Sequence, residues 1–302
     1  MKYGLVFIFI LFLFAGCRKD SPQIQDPKDA PPISAVPSSF NQKILIEEFT
    51  SFYCGQCPRA QLVSDALIAA NPDRVYAVRI HLNDLLICQD ITDTFSGINY
   101  LDTLYNYSGI SPAGMVNRYD QQTSDLISDN WTSKVNSMIG NIPRCGLAID
   151  ASTLTGSTLH LAVHTGFSET LAGDFRLHVY LIRDVFQSND SSYDQFNDFS
   201  ISGPTPDSTI SLYNLPYEIH PAAHKYVLLK VITSHGVAGD VIPESSMHAG
   251  SDFIKSYDVN MSGINPAGAS IIAFVDKFGS NAGGHRIENV QKVSVGSTKN
   301  WN

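Results

Sequence analysis

The spacing of apolar and polar residues gives the chain several rhythms. Between residues 43 and 141, strand-like and helix-like runs alternate. "KILIEEF" (43–49) reads as a strand, with Ile44, Ile46 and Glu48 on one side, which turns Glu48 toward an apolar face. "PRAQLVSDALIAANP" (58–72) reads as a helix closed by Pro72, with Leu62, Ala66, Ala69 and Ala70 recurring near the helical period. "RVYAVRIHL" (74–82) is a second strand, rich in β-branched and aromatic residues. Residues 93–107 carry Phe95, Ile98, Leu101 and Tyr105 on one helical side. "SPAGMVNRY" (111–119) reads as a short strand after a proline turn, and residues 128–141 place Trp131, Val135, Met138 and Ile139 on one helical face. From "CGLAIDASTLTGSTLHLAVHTG" (145–166) onward the pattern becomes short alternating runs parted by Gly, Ser and Asn. The predicted class is α/β plus all-β: a βαβ layer over 42–141, followed by an antiparallel β-sandwich over 142–302. A long polar loop, 188–223, interrupts the second part. Loops of that size are often functional or mobile.

The first residues have another character. Lys2 precedes "LVFIFILFLF" (5–14), an apolar run too short to span a bilayer but suited to a secretory leader. "AGC" follows, and Ala15-Gly16 before Cys17 resembles the lipobox of bacterial lipoproteins, with Phe14 where Leu is usual. That resemblance implies a signal peptide over 1–16 and lipidation of Cys17, which would hold the protein to a membrane. Residues 17–41 contain five prolines between positions 22 and 37 and read as a tether. The "RKD" after Cys17 resembles a short signal that sends lipoproteins to the cell surface in some Gram-negative bacteria.

The chain has 302 residues and a formal net charge of −9, with no basic run, so nucleic acid is not an expected partner. Its five cysteines are Cys17, Cys54, Cys57, Cys88 and Cys145. Lipidation of Cys17 leaves four in a compartment where disulfides persist. Cys88 and Cys145 are either a structural pair, whose bridge would add roughly 4 kcal/mol by chain entropy, or two separate thiols.

"YCGQCP" (53–58) sits between a predicted strand and a predicted helix. A thiolate at Cys54 would be favoured by the positive end of the helix dipole, and Cys57 would lie near enough to displace a mixed disulfide. Pro58 suits a first helical turn. Three readings remain: a redox pair, a permanent structural disulfide, or half of a zinc site. Zinc is disfavoured because no second close pair of ligands accompanies the motif. The nine histidines show no ligand spacing, Gly-x-Ser-x-Gly is absent, and no cofactor is expected. Asp190 and Asp194 fit a polar loop better than a calcium site.

The order of strand, acid, Cys-x-x-Cys and helix resembles the thioredoxin-like superfamily over residues 43–141. The resemblance implies that Cys54 attacks, Cys57 resolves, Glu48 is the buried acid that moves protons, and Pro112 is the cis-proline facing the disulfide. Tyr53 stands where that superfamily often has Trp, and the segment after Pro112 is short for its terminal hairpin. More narrowly, the lipobox, "ILIEEFTSFYCGQCP", "SPAGMVNR" and the β-rich second half are similar to the outer-membrane lipoprotein family named for a twenty-eight-kilodalton surface protein. The resemblance implies an envelope protein anchored in the outer membrane, periplasmic or surface-exposed. Two functions follow as expectations: thiol–disulfide exchange with protein disulfides, or a non-enzymatic lipoprotein of adhesion or assembly that uses the thioredoxin-like layer as scaffold.

Overall fold

The computed structural model describes residues 32–93, 111–119, 128–279 and 284–302. The apolar leader, Cys17, the first part of the tether and nearly all of the expected 93–107 helix lie outside those residues. The first half contains β1 (Ile44–Thr50), α1 (Cys57–Ala70), β2 (Val75–His81), α2 (Gln89–Asp93), β3 (Ala113–Val116) and α3 (Trp131–Met138). The second contains β4 (Cys145–Thr155), β5 (Thr158–Phe167), β6 (Phe175–Gln187), β7 (Gln195–Phe196), β8 (Glu218–Ile219) and β9 (Ala223–Val231). It continues with β10 (Asp240–Ile242), β11 (Asp252–Asn260), β12 (Ala269–Lys277), β13 (Ile287–Ser294) and β14 (Thr298–Lys299).

The two rhythms of the sequence meet in one sheet. Its order is β13-β12-β6-β9-β2-β1-β3, with β10 added beside β6. β1 and β2 are parallel from Ile44↔Val75 to Thr50↔His81, and β3 runs antiparallel to β1. The seam is a parallel contact between β2 and β9 at Arg79↔Val227. A second, antiparallel sheet, β11-β5-β4-β14, lies apart. The change of grammar near residue 142 is therefore a change of element type, and the hydrogen-bonded sheet crosses it.

Side-chain alternation shows how the layers stack. Leu45 and Phe49 of β1 share a core with Tyr180 and Ile182 of β6 and Phe274 of β12, so this face of the large sheet is apolar across both halves. The other face is divided. At one end Ile44 and Ile46 pack against Ala60 and Leu67 of α1 and Trp131, Val135 and Met138 of α3. At the other, Leu177, Val179 and Leu181 of β6 pack against Leu147, Leu161 and Val163 of the second sheet, a two-sheet sandwich whose larger sheet also takes in β1, β2 and β3 rather than being confined to 142–302. Both faces of β1 and β2 are covered, and every residue of the two strands is buried.

Three expectations change. Leu62, Ala66, Ala69 and Ala70 form the exposed side of α1, whereas Ala60, Ser64 and Leu67 face the sheet. Apolar residues surround this helix, and the buried polar Ser64 disguised the true face. Cys88 and Cys145 form no disulfide. Cys88 packs on the continuous face and Cys145 on the divided one, so the large sheet separates them. Finally, the last part of the tether is docked: Ser34 hydrogen-bonds Asn300 Oδ1 at 2.8 Å, Trp301 Nε1 donates to Ser34 O at 2.9 Å, and Phe40 lies 6.1 Å from the Trp301 ring.

Candidate functional site

β1 delivers the chain from the sheet into a tight turn, residues 51–56, and α1 begins at Cys57. Within the turn Cys54 N–H donates to Ser51 O and Cys57 N–H donates to Cys54 O, both at 3.1 Å. Pro58 lies in the first helical turn, where its missing N–H costs nothing. Cys54 and Cys57 are joined as a disulfide with a Cα–Cα separation of 5.4 Å. Cys57 is buried beneath the helix start, while Cys54 is partly open to solvent. The more accessible sulfur thus lies on the outer side of the motif, bonded to one at the helix N-terminus.

The Ser111–Pro112 peptide bond is cis. Because Phe49 pairs with Ala113 in an antiparallel register, Pro112 sits at the end of β3 beside the point where β1 enters the cysteine turn. Gly114 is needed two residues later: a Cβ there would lie 2.4 Å from the Trp131 ring, which seals α3 against the sheet.

Glu48 is buried on the side of β1 covered by α1. Arg79 of β2 donates to Glu48 Oε2 at 3.3 Å and to Asp65 Oδ1 and Ser64 Oγ of α1 at 2.8 and 3.0 Å. Lys225 of β9 closes the chain on Asp65 Oδ2 at 2.7 Å. Glu48 Oε1 has no hydrogen-bond partner by geometry; the Ser64 hydroxyl, which donates to Gln61 O at 3.2 Å, is near enough to favour the charged carboxylate. Burial pushes the Glu48 carboxyl above its ordinary range, although Arg79 pulls the other way. A buried carboxyl with one free oxygen and a raised affinity for protons can take up or release a proton beneath the helix.

The long loop turns out to be ordered and seated on the cysteine turn. Phe196 N–H donates to Phe52 O and Asp198 N–H to Gly55 O, both at 2.9 Å. Gln195 Nε2 reaches Cys54 O at 3.1 Å and Phe52 O at 3.2 Å. In return, Gln56 Nε2 donates to Asp198 Oδ2 at 2.9 Å and Thr205 Oγ1 at 3.0 Å. The lobe has its own interior, with Asn197, Phe199, Ser200 and Leu212 buried. Asp190 accepts from Ser192 N–H at the start of a short turn, and Asp194 pairs with His220 Nδ1 at 2.6 Å. Among the described residues no group of three His, Cys, Asp or Glu side chains is placed to hold a metal.

Beneath Phe52 lies a further pair. His81 Nδ1 contacts Asp84 Oδ2 at 2.8 Å, and the same carboxylate oxygen accepts from Phe52 N–H at 3.1 Å. His224 stands 5.5 Å from the His81 ring and contacts Tyr193 O at 2.7 Å. Burial lowers its basicity, and the neighbouring His81 acts in the same direction. A cleft of about 160 Å³ opens beside Pro58, lined by Gln61, Asp65, Arg79, Gln195 and Leu212. A larger one, about 600 Å³, lies at the far end of α1 between Pro72 and Lys299 and touches no cysteine. The thiols of Cys88 and Cys145 are both driven up by burial, that of Cys88 to about 11, which makes them poor nucleophiles.

Spacing pointed to Cys54 and Cys57, and the resemblance to Glu48 and Pro112; β1 carries Glu48 toward the cysteine turn, and Pro112 precedes β3, which pairs with β1. Arg79, Asp65, Gln195, Asp198 and Thr205 escaped both. The length and polarity of the 188–223 loop were the available signal for the last three, without indicating which residues mattered.

Residues 98–299 match the family described as outer membrane protein Omp28. The chain belongs to that family. Membership places it in the cell envelope, associated with the outer membrane, and the matched stretch begins after both cysteines of the turn. Among the described residues no helix is long and apolar enough to cross a membrane. The fold is similar to HBP35 of Porphyromonas gingivalis at 17% identity and a TM-score of 0.60, covering 85% of this chain and 76% of that one. It is also similar to a structural-genomics protein of Agrobacterium tumefaciens at 13% identity and a TM-score of 0.50, covering 84% and 94%. No curated protein matches the sequence.

Proposed function

We propose that this Omp28-family protein is an outer-membrane lipoprotein, held through lipidated Cys17, whose thioredoxin-like layer exchanges disulfides with protein substrates through Cys54 and Cys57. The observation that carries the reading is the Cys54–Cys57 disulfide at the start of α1, at the end of a strand that holds the buried Glu48 and pairs with the strand following cis-Pro112. In the reduced state the Cys54 thiolate attacks a substrate disulfide, forming a mixed disulfide and releasing one substrate thiolate. Cys57, giving its proton to Glu48, then attacks Cys54 Sγ and releases the second substrate thiolate. The substrate disulfide gains two electrons and two protons, and the protein pair becomes the disulfide. The same steps run backwards when a substrate dithiol meets the oxidised pair. Pro112 borders the place where substrate backbone would lie.

The number of bonds from the 195–205 segment to the turn also favours a second reading, in which the disulfide is a permanent brace and the protein serves adhesion or assembly. A Cys57→Ala variant separates the two. It should accumulate mixed disulfides with envelope proteins, visible on non-reducing gels, and additional replacement of Cys54 by alanine should remove them. No adducts, with a wild-type pair that resists glutathione, would support the brace.

A further inference from the structure

Within the cysteine turn, Gly55 lies between the two sulfurs in sequence and against the Asp198 carboxylate in space. A Cβ on Gly55 would fall 2.0 Å from Asp198 Oδ1, so the turn admits that carboxylate only because residue 55 has no side chain. Asp198 is fixed there by its own N–H on Gly55 O, by the Gln56 amide on Oδ2 and by Thr205 N–H on Asp198 O at 3.0 Å. It is half-buried, and among the described residues it has no ion pair; the Gln56 amide that meets it is neutral.

The surrounding charges are committed elsewhere. On α1, Arg59 pairs with Asp129 at 3.2 Å, and Asp65 pairs with Arg79 and Lys225. Below the turn, Arg79 meets Glu48, His81 meets Asp84, and His224 contacts Tyr193 O. On the loop, Asp194 pairs with His220, and Asp207 accepts from Thr209 N–H and its hydroxyl. An unneutralised carboxylate therefore abuts the turn, opposing the positive end of α1.

We propose that Asp198 is a positioning residue that sets the redox poise of the Cys54–Cys57 pair, its charge disfavouring the reduced, thiolate-bearing state and holding the pair toward the disulfide. This deepens the exchange function proposed above and rests on it for its biological meaning. The physical cause is like-charge repulsion, which weakens a thiolate beside a carboxylate. The segment from 195 to 205 then has two tasks: it satisfies carbonyls of the turn, and it brings a charge from a distant part of the chain against the residue between the two cysteines.

The test is an Asp198→Asn variant of the full chain, equilibrated with reduced and oxidised glutathione at a pH above the Cys54 titration. Asparagine keeps the shape and an acceptor for Gln56 but removes the charge. The equilibrium should move toward the dithiol by about tenfold, equivalent to about 30 mV. The midpoint of Cys54 alkylation against pH should fall, and both differences should shrink as salt is raised. Thr205→Val, which removes the other acceptor of the Gln56 amide without changing charge, should shift the equilibrium less than about twofold. An Asp198→Asn equilibrium within twofold of wild type would overturn the proposal, as would an equal shift in Thr205→Val. If glutathione leaves the wild-type pair fully oxidised, exchange as the function is contradicted. The ratio between variant and wild type is then read in dithiothreitol buffers, so Asp198 stands or falls separately.

Discussion

Glu47 and Glu48 are neighbours in sequence and both are buried, yet the pleat of β1 sends them into different environments. Glu47 faces the continuous apolar side of the large sheet, where Arg118 grips both its oxygens at 2.7 and 2.8 Å. Arg118 also reaches Asp276 of β12 at 3.1 Å and lies 4.8 Å from the Phe274 ring centroid. His178 comes within 3.0 Å of the same Asp276, whose carboxyl is held below its ordinary range despite burial, because His178 and Arg118 favour its charge. This network ties β1 to β12 and β6. Glu48, one residue on, has one oxygen engaged and one without a donor. The pair shows that burial alone does not decide how fully a carboxylate is hydrogen-bonded. The carboxylate with both oxygens bonded to an arginine ties the two halves of the sheet, and the incompletely paired one faces α1.

The largest expected effect breaks the Glu47 side. Arg118→Met leaves Glu47 and Asp276 buried without their cation and should cost about 3–5 kcal/mol in urea unfolding. A loss below about 1 kcal/mol would mean that the network does not hold the halves together. Next, Glu47→Gln and Glu48→Gln sharpen the contrast. The first should lose about 2 kcal/mol by weakening a charged bidentate pair, with exchange chemistry unchanged. The second should be less destabilising but slow the resolution of a Cys54 mixed disulfide by about 100-fold, as loss of a general acid–base group does. Equal effects of the two on both measurements would erase the distinction.

The smallest effect concerns His224, which burial makes less basic than in the unfolded chain. Its depressed folded-state affinity means that the unfolded state binds more protons as pH falls. Stability attached to His224 is therefore complete above about pH 6.5 and is lost as pH falls toward its lower folded value, by up to about 1.4 kcal/mol for each unit. The urea midpoint should decline between pH 6.5 and 5, and His224→Gln, which can still donate to Tyr193 O, should flatten that decline.

Much of this site was readable from local spacing. The strand, the cysteine motif and Pro58 lie within fifteen residues of one another, and β-alternation alone turned Glu48 inward. Trp131, Val135 and Met138 declared a true helical face because polar residues separate them, whereas α1, apolar all round, did not reveal which side it would bury. The rest depends on partners far apart in the chain. Arg118 meets Asp276 across 158 residues, and Gln56 meets Asp198 across 142. Nothing in the local pattern of "NDFSISG" says that its aspartate will stand beside Gly55. The separation of Cys88 from Cys145 is of the same kind: counting cysteines suggested a pair, and only the position of the sheet between them decides otherwise.

The central claim, that Cys54 and Cys57 form a reversible pair, is tested most directly by titrating the full chain with glutathione buffers and counting free thiols by mass. Buried Cys88 and Cys145 provide the constant background. The account expects a two-electron transition above about −300 mV, in the range of exchange proteins. A pair that stays oxidised throughout, with a potential below that value, would contradict it.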